Sequence, residues 1–206
     1  MNAKTMLALC LTAFLLSKAS AQNTGSSFKT LSPVVSVSYY GNILIKPGIK
    51  AGVEMALLQK SVNRKESRHL NRKVRIKQLT ASADLGMLLF PGSHSALFNY
   101  YTVNYKNIKT ETGKFNTIGI GPGIYRSFYS QTYEVDASGN VTPEGTEGRS
   151  YFAPVLVFGT GKYLSHGILQ SWHFNTSIIF LFDYNTGIVP LLNFEIGTTL
   201  NFFKRK

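Results

Sequence analysis

From Pro47 onward the chain alternates apolar and polar residues with a period of two. In PGIKAGVEMALLQK, Ile49, Ala51, Val53, Met55 and Leu57 share one face, and Lys50, Gly52, Glu54 and Ala56 the other. In KQLTASADLGMLLF, Leu79, Ala81, Ala83, Leu85, Met87 and Leu89 oppose Gln78, Thr80, Ser82, Asp84 and Gly86. Alternation sustained over such lengths predicts strands, because only an extended chain sends successive side chains to opposite faces.

The same period predicts strands over Ser95–Tyr105, Phe115–Tyr129, Gln170–Phe182 and Pro190–Phe203. Their apolar faces carry Ile118 and Ile120, then Trp172, Phe174, Ile178 and Phe180, then Leu192, Phe194 and Ile196. Tyr151–Lys162 is apolar on both faces at its start and is the least decisive of seven clear strands. Val34–Asn42 is permitted as an eighth, with Val35, Val37 and Tyr39 alternating with Ser36, Ser38 and Tyr40. Closed membrane barrels have even strand counts, which favours including it. Pro91-Gly92-Ser93, Glu111-Thr112-Gly113-Lys114 and Tyr184-Asn185-Thr186-Gly187 carry turn chemistry. Asp136–Gly148 reads as a long acidic hairpin or loop, and Ser61–Lys73 as a basic connection.

The polar face decides which side looks inward. A soluble barrel would show Lys and Glu there; this chain shows mostly Gly, Ser, Thr, Asn and Ala, which suit a narrow interior. The expected fold is therefore all-β, an antiparallel transmembrane β-barrel of eight strands with lipid outside. Leu85, Ile120, Phe180, Phe194 and Ile196 are expected to face lipid. Lys50, Glu54, Asp84, His173 and Glu195 are expected to point inward as a polar network, with Lys162 or Arg126 as further partners.

The beginning of the chain reads as an export signal. Lys4 precedes the apolar run Met6–Leu16, and Ala19-Ser20-Ala21 forms a cleavage site before Gln22. The run is about half the ~20 residues a spanning helix needs. The expected organisation is a signal peptide over 1–21, a flexible leader over 22–33 and the barrel over 34–206. The single cysteine, Cys10, leaves with the signal, so the mature chain has no thiol chemistry.

Composition sharpens this picture. Only 16% of residues are charged while 13% are aromatic, an unusual balance for a water-facing surface. The net charge is +12, and only Lys4 and Lys18 leave with the signal. In an exported chain a basic excess points to anionic lipid headgroups or lipopolysaccharide phosphates as partners more than to nucleic acid, with a general solubility charge as the alternative.

His94 with Ser95, His166 with Ser165, and His173 are the hydrolase candidates, and none has the spacing of a triad. His69, His94, His166 and His173 lie too far apart to suggest metal ligands, and no cofactor is implied. Gly119, Gly121 and Gly123 lie within an alternating strand with no helix following, a packing pattern and not a phosphate loop.

Five stretches, KPGIKAGVEMAL, ADLGMLLFPGSHSALFNYY, TGKFNTIGIGPGIYRSFY, YFAPVLVFGTGKY and NFEIGTTLNFF, resemble outer-membrane β-barrel proteins of Bacteroidetes. The resemblance covers most of 40–206. It implies a small Gram-negative outer-membrane barrel, delivered by the barrel-assembly machinery, and it names no substrate. The terminal strand resembles the aromatic-ended strand which that machinery recognises, with Phe202 and Phe203 followed by Lys204-Arg205-Lys206. The expected role is structural or surface-interacting and non-enzymatic. A lipid A-modifying enzyme and a narrow pore or transport accessory stay open as alternatives, and the oligomeric state stays open.

Overall fold

The computed structural model describes residues 33–41, 46–64, 73–129, 132–136, 138–144, 148–164, 168–184 and 187–200. The expected signal segment 1–21, the expected leader up to residue 32, the Ser165–His166 pair, His69, and Phe202 and Phe203 lie outside the described residues.

The described chain is all-β. Its strands are β1 (Val34–Gly41), β2 (Gly48–Arg64), β3 (Lys73–Phe90), β4 (His94–Lys109), β5 (Lys114–Gly121), β6 (Gly123–Tyr129), β7 (Thr132–Val135), β8 (Val141–Glu144), β9 (Arg149–Phe152), β10 (Val155–Tyr163), β11 (Leu169–Tyr184) and β12 (Gly187–Leu200). Antiparallel pairing joins β1, β2, β3, β4, β5, β10, β11 and β12 in that order, and β12 returns to β1. The result is a ring of eight strands. The segment least marked in sequence closes it: Ser38 of β1 pairs with Lys50 on one side and Gly197 on the other.

Two prolines divide what alternation reads as longer strands. β6 continues β5 beyond Pro122, and β10 continues β9 beyond Pro154, with unchanged facing. Val155 pairs with Gly121 and Ile124 with Phe152, so the register places Pro122 opposite Pro154. Neither proline can donate to the ladder. Their carbonyls still accept, from Tyr101 N–H and Phe180 N–H at 3.0 Å each.

Other departures are local. β2 and β3 run on into the basic connection, to the pair Arg64–Lys73. A register shift between Ala56 and Leu58 exposes both Leu57 and Leu58, so that beyond it Leu58 and Lys60 share the outer face. Pro91-Gly92-Ser93 makes a tight turn with Gly92 at φ 77° and Ser93 N–H donating to Phe90 O at 3.0 Å. The acidic stretch folds into its own hairpin, β7 with β8.

Inside and outside differ sharply. Val37, Ile49, Leu85, Leu97, Ile120, Phe158, Trp172 and Ile196, one from each strand of the ring, are exposed on the outer face. The interior is divided along its axis. Towards the Pro91–Ser93 turn it holds Tyr40, Leu88, Phe98, Tyr125, Val155, Ile179 and Leu181, all buried. Phe98 stacks on Tyr100 at 4.7 Å and lies 4.8 Å from Tyr40. A side chain at Gly86 would collide with Phe98, so the absent Cβ makes room for an inward aromatic. Sequence alternation did not anticipate this aromatic layer. It explains the doubly apolar start of the least decisive strand: Tyr151, Ala153 and Val155 enter the layer while Phe152 and Phe158 face out.

Candidate functional site: an ionic cluster inside the ring

The second half of the interior is polar and charged. Alternation along β2, β3, β11 and β12 turns Lys50, Asp84, His173 and Glu195 to the same side, and ring closure brings them together. Lys50 Nζ donates to Glu195 Oε2 at 2.8 Å and lies 3.5 Å from Asp84 Oδ1. His173 Nε2 is 3.0 Å from Glu195 Oε1, and Asn175 Nδ2 donates to Oε2 at 3.1 Å. Glu195 thus has three polar neighbours while only 3% exposed, which is what a buried carboxylate requires.

Glu54 belongs to a second pair. Its carboxylate takes Lys106 Nζ at 2.5 and 2.7 Å on its two oxygens. Lys106 is a site residue that the sequence reading missed. It lies one step beyond the strand expected to end at Tyr105, on the face of Thr102 and Asn104. Between the two ion pairs run hydroxyls and an amide: Ser82 Oγ to Asp84 Oδ2 at 3.0 Å, Ser82 Oγ to Thr102 Oγ1 at 2.6 Å, and Asn104 Nδ2 to both hydroxyls. A cavity of about 60 Å³ lies among these groups, room enough for water.

The expected partners Lys162 and Arg126 take no part. Both lie on outward positions of their strands and are exposed. Arg126 instead sits over the Phe128 ring at 5.2 Å. Charge sign alone suggested them; strand parity sends them the other way. Leu85, Ile120 and Ile196 face outward with 63%, 62% and 63% exposure. Phe180 and Phe194 are outward by alternation and half-buried, Phe194 against Phe174 with ring centroids 6.3 Å apart.

The cluster communicates with the aromatic layer. Lys50 Nζ lies 5.6 Å from the centroid of the Tyr40 ring, and Tyr40 OH shares a hydrogen bond with Ser177 Oγ at 2.8 Å. Beyond the layer, at the rim, a cleft of about 410 Å³ is lined by Lys46, Phe90, His94, Tyr125, Leu181 and Leu191. His94 stacks on Phe90 at 4.1 Å, and its Nδ1 meets Ser93 Oγ at 2.8 Å. The hydroxyl partner is therefore Ser93 and not Ser95. Among the described residues no carboxylate pairs with His94, and no group of His, Cys, Asp and Glu is arranged to hold a metal ion.

What this arrangement does chemically is hold most of its charges against one another. Two lysines face three carboxylates and one imidazole, in contacts short enough to satisfy most of the cluster internally. No protein-family model, no curated protein and no solved structure matches the chain.

Proposed function

We propose that this chain is a small, non-enzymatic outer-membrane β-barrel protein with a structural or surface-contact role. The observation that carries this reading is the inverted distribution of polarity. Every strand of the ring presents a large apolar side chain outward, while lysines, carboxylates and amides fill one half of the inside. In water such an outer face would be a severe liability. In lipid it is required, and closure of the ring leaves the backbone groups paired. The export signal read from Lys4 to Ala21 and the resemblance to Bacteroidetes barrels support the same reading.

The aromatic layer favours a closed barrel over a pore. Tyr40, Phe98, Tyr100 and Tyr125 occupy the bore on one side of the ionic cluster, as expected where eight strands leave an interior filled by side chains. The hairpin β7–β8, with Glu134, Asp136 and Glu144, stands at the same end as the rim cleft. With both chain ends in the periplasm, that end faces outward from the cell and supplies the contact surface.

The test is heat modifiability. The mature chain folded into detergent or phosphatidylcholine vesicles should migrate differently on a gel before and after boiling, and should fractionate with the outer membrane in cells. Identical migration, or recovery in a soluble fraction, would overturn the reading.

A further inference from the structure

Register along the outer face places an apolar row directly beside rows of cations. Leu58 pairs with Leu79, Leu79 with Tyr105, Tyr105 with Ile118, and Ile118 with Phe158. One step nearer the chain ends, Lys60 pairs with Lys77. Beyond that, Arg75 pairs with Lys109, and Lys114 with Lys162. Three like-charged pairs thus stand directly opposite one another, on outward positions of β2, β3, β4, β5 and β10.

Residues directly opposite on an antiparallel ladder sit only about 5 Å apart, and like charges there repel. The usual remedy is an intervening carboxylate. Among the described residues the only carboxylate at this end is Glu111, and no ion pair joins it to any of the six cations. The other acids among the described residues lie elsewhere: Glu54, Asp84 and Glu195 inside, and Glu134, Asp136, Glu144 and Asp183 at the opposite end. The long stems of Lys and Arg can lie along the neighbouring apolar row while their heads reach past it.

We propose that this collar binds the phosphates of anionic phospholipid, each opposed pair of cations being bridged by a headgroup whose acyl chains lie against the Leu58–Phe158 row. The inference rests on the barrel reading above. It adds the leaflet: the collar lies at the end of the ring where β1 begins and β12 finishes, which the barrel reading turns to the periplasm, so the lipid is the phospholipid of the periplasmic side. Phosphate supplies the negative charge that no ion pair among the described residues brings to these cations, and the adjoining apolar row selects a phosphate carried on lipid over a free one.

Native mass spectrometry of the folded mature chain in neutral detergent tests this. Cardiolipin should remain bound at about tenfold lower concentration than phosphatidylcholine, and inorganic phosphate should not displace it. The variant K60Q/K77Q/K114Q/K162Q should lose that preference, whereas R126Q/R149Q, at the opposite end, should keep it. Equal retention of cardiolipin and phosphatidylcholine, or an unchanged quadruple variant, would overturn the proposal. So would displacement by phosphate, which marks a free-anion site, or stronger retention of lipid A, which marks the other leaflet. The gel shift on boiling is read on the same samples. A shifting band without lipid preference sinks only this inference, while no shift sinks the barrel reading itself.

Discussion

Glu195 on the last strand receives the ammonium of Lys50 at 2.8 Å across 145 residues of chain. His173 and Asn175 meet the same carboxylate from β11. One acid therefore ties β2, β11 and β12 across the inside of the ring.

Removing one partner should cost far more than the pair is worth. Lys50→Met strands both Glu195 and Asp84 and should destabilise the fold by about 3–5 kcal/mol, as for other broken buried pairs. Adding Glu195→Gln to Lys50→Met should recover part of that loss, because one uncompensated charge is gone. Reversible urea unfolding in vesicles measures both. A loss below about 1 kcal/mol for Lys50→Met would place Lys50 in water, at the worth of an exposed ion pair.

Ile196 distinguishes lipid from water outside. It is 63% exposed. Ile196→Arg should cost about 2–4 kcal/mol if the residue meets hydrocarbon near the bilayer midplane. An exposed site in water would tolerate the same change within about 0.5 kcal/mol. Unfolding titrations of this variant beside wild type settle the difference.

Trp172 is the single tryptophan of the chain and lies outward, opposite Lys162. Its fluorescence should shift to the blue on folding into vesicles and be quenched by lipids brominated on their acyl chains. Aqueous iodide should quench it weakly. Strong iodide quenching with no effect of brominated lipid would turn this face to water.

Asp136 makes the tip of the β7–β8 hairpin sensitive to acid. The backbone N–H of Asn140, then its side-chain amide, then Ser138 N–H hold the carboxyl below the usual carboxylate range. A depressed folded value stabilises the turn above the unfolded Asp value of about 3.9, and the benefit fades as pH falls through the folded one. Hydrogen exchange, corrected for intrinsic rate, should show Ser138 and Asn140 protected at neutral pH and released in strong acid. Asp136→Ala should remove the protection at every pH.

Much of the ring was legible as period two. Alternation alone turned Lys50, Asp84, His173 and Glu195 to one face and Leu85, Ile120 and Ile196 to the other. Lys106 was within reach of the same rule, had β4 been followed one step past Tyr105. Lys162 and Arg126 were chosen by charge, and their strand parity sends them outward. The aromatic layer escaped because Phe98, Tyr100 and Tyr125 share a face with polar residues, where a uniform polar interior was expected. The extra residue at Leu57 is invisible locally, since a bulge shows only against a partner strand.

The sequence by itself determined the strands and their two faces, because side-chain direction depends on the local extended backbone. The tertiary structure decided who meets whom. Register is a relation between strands distant in sequence, and one slipped residue would exchange every face. Only closure through β1 brings Lys50 to Glu195, and only the shift at Leu57 sets Lys60 opposite Lys77 on the outer face.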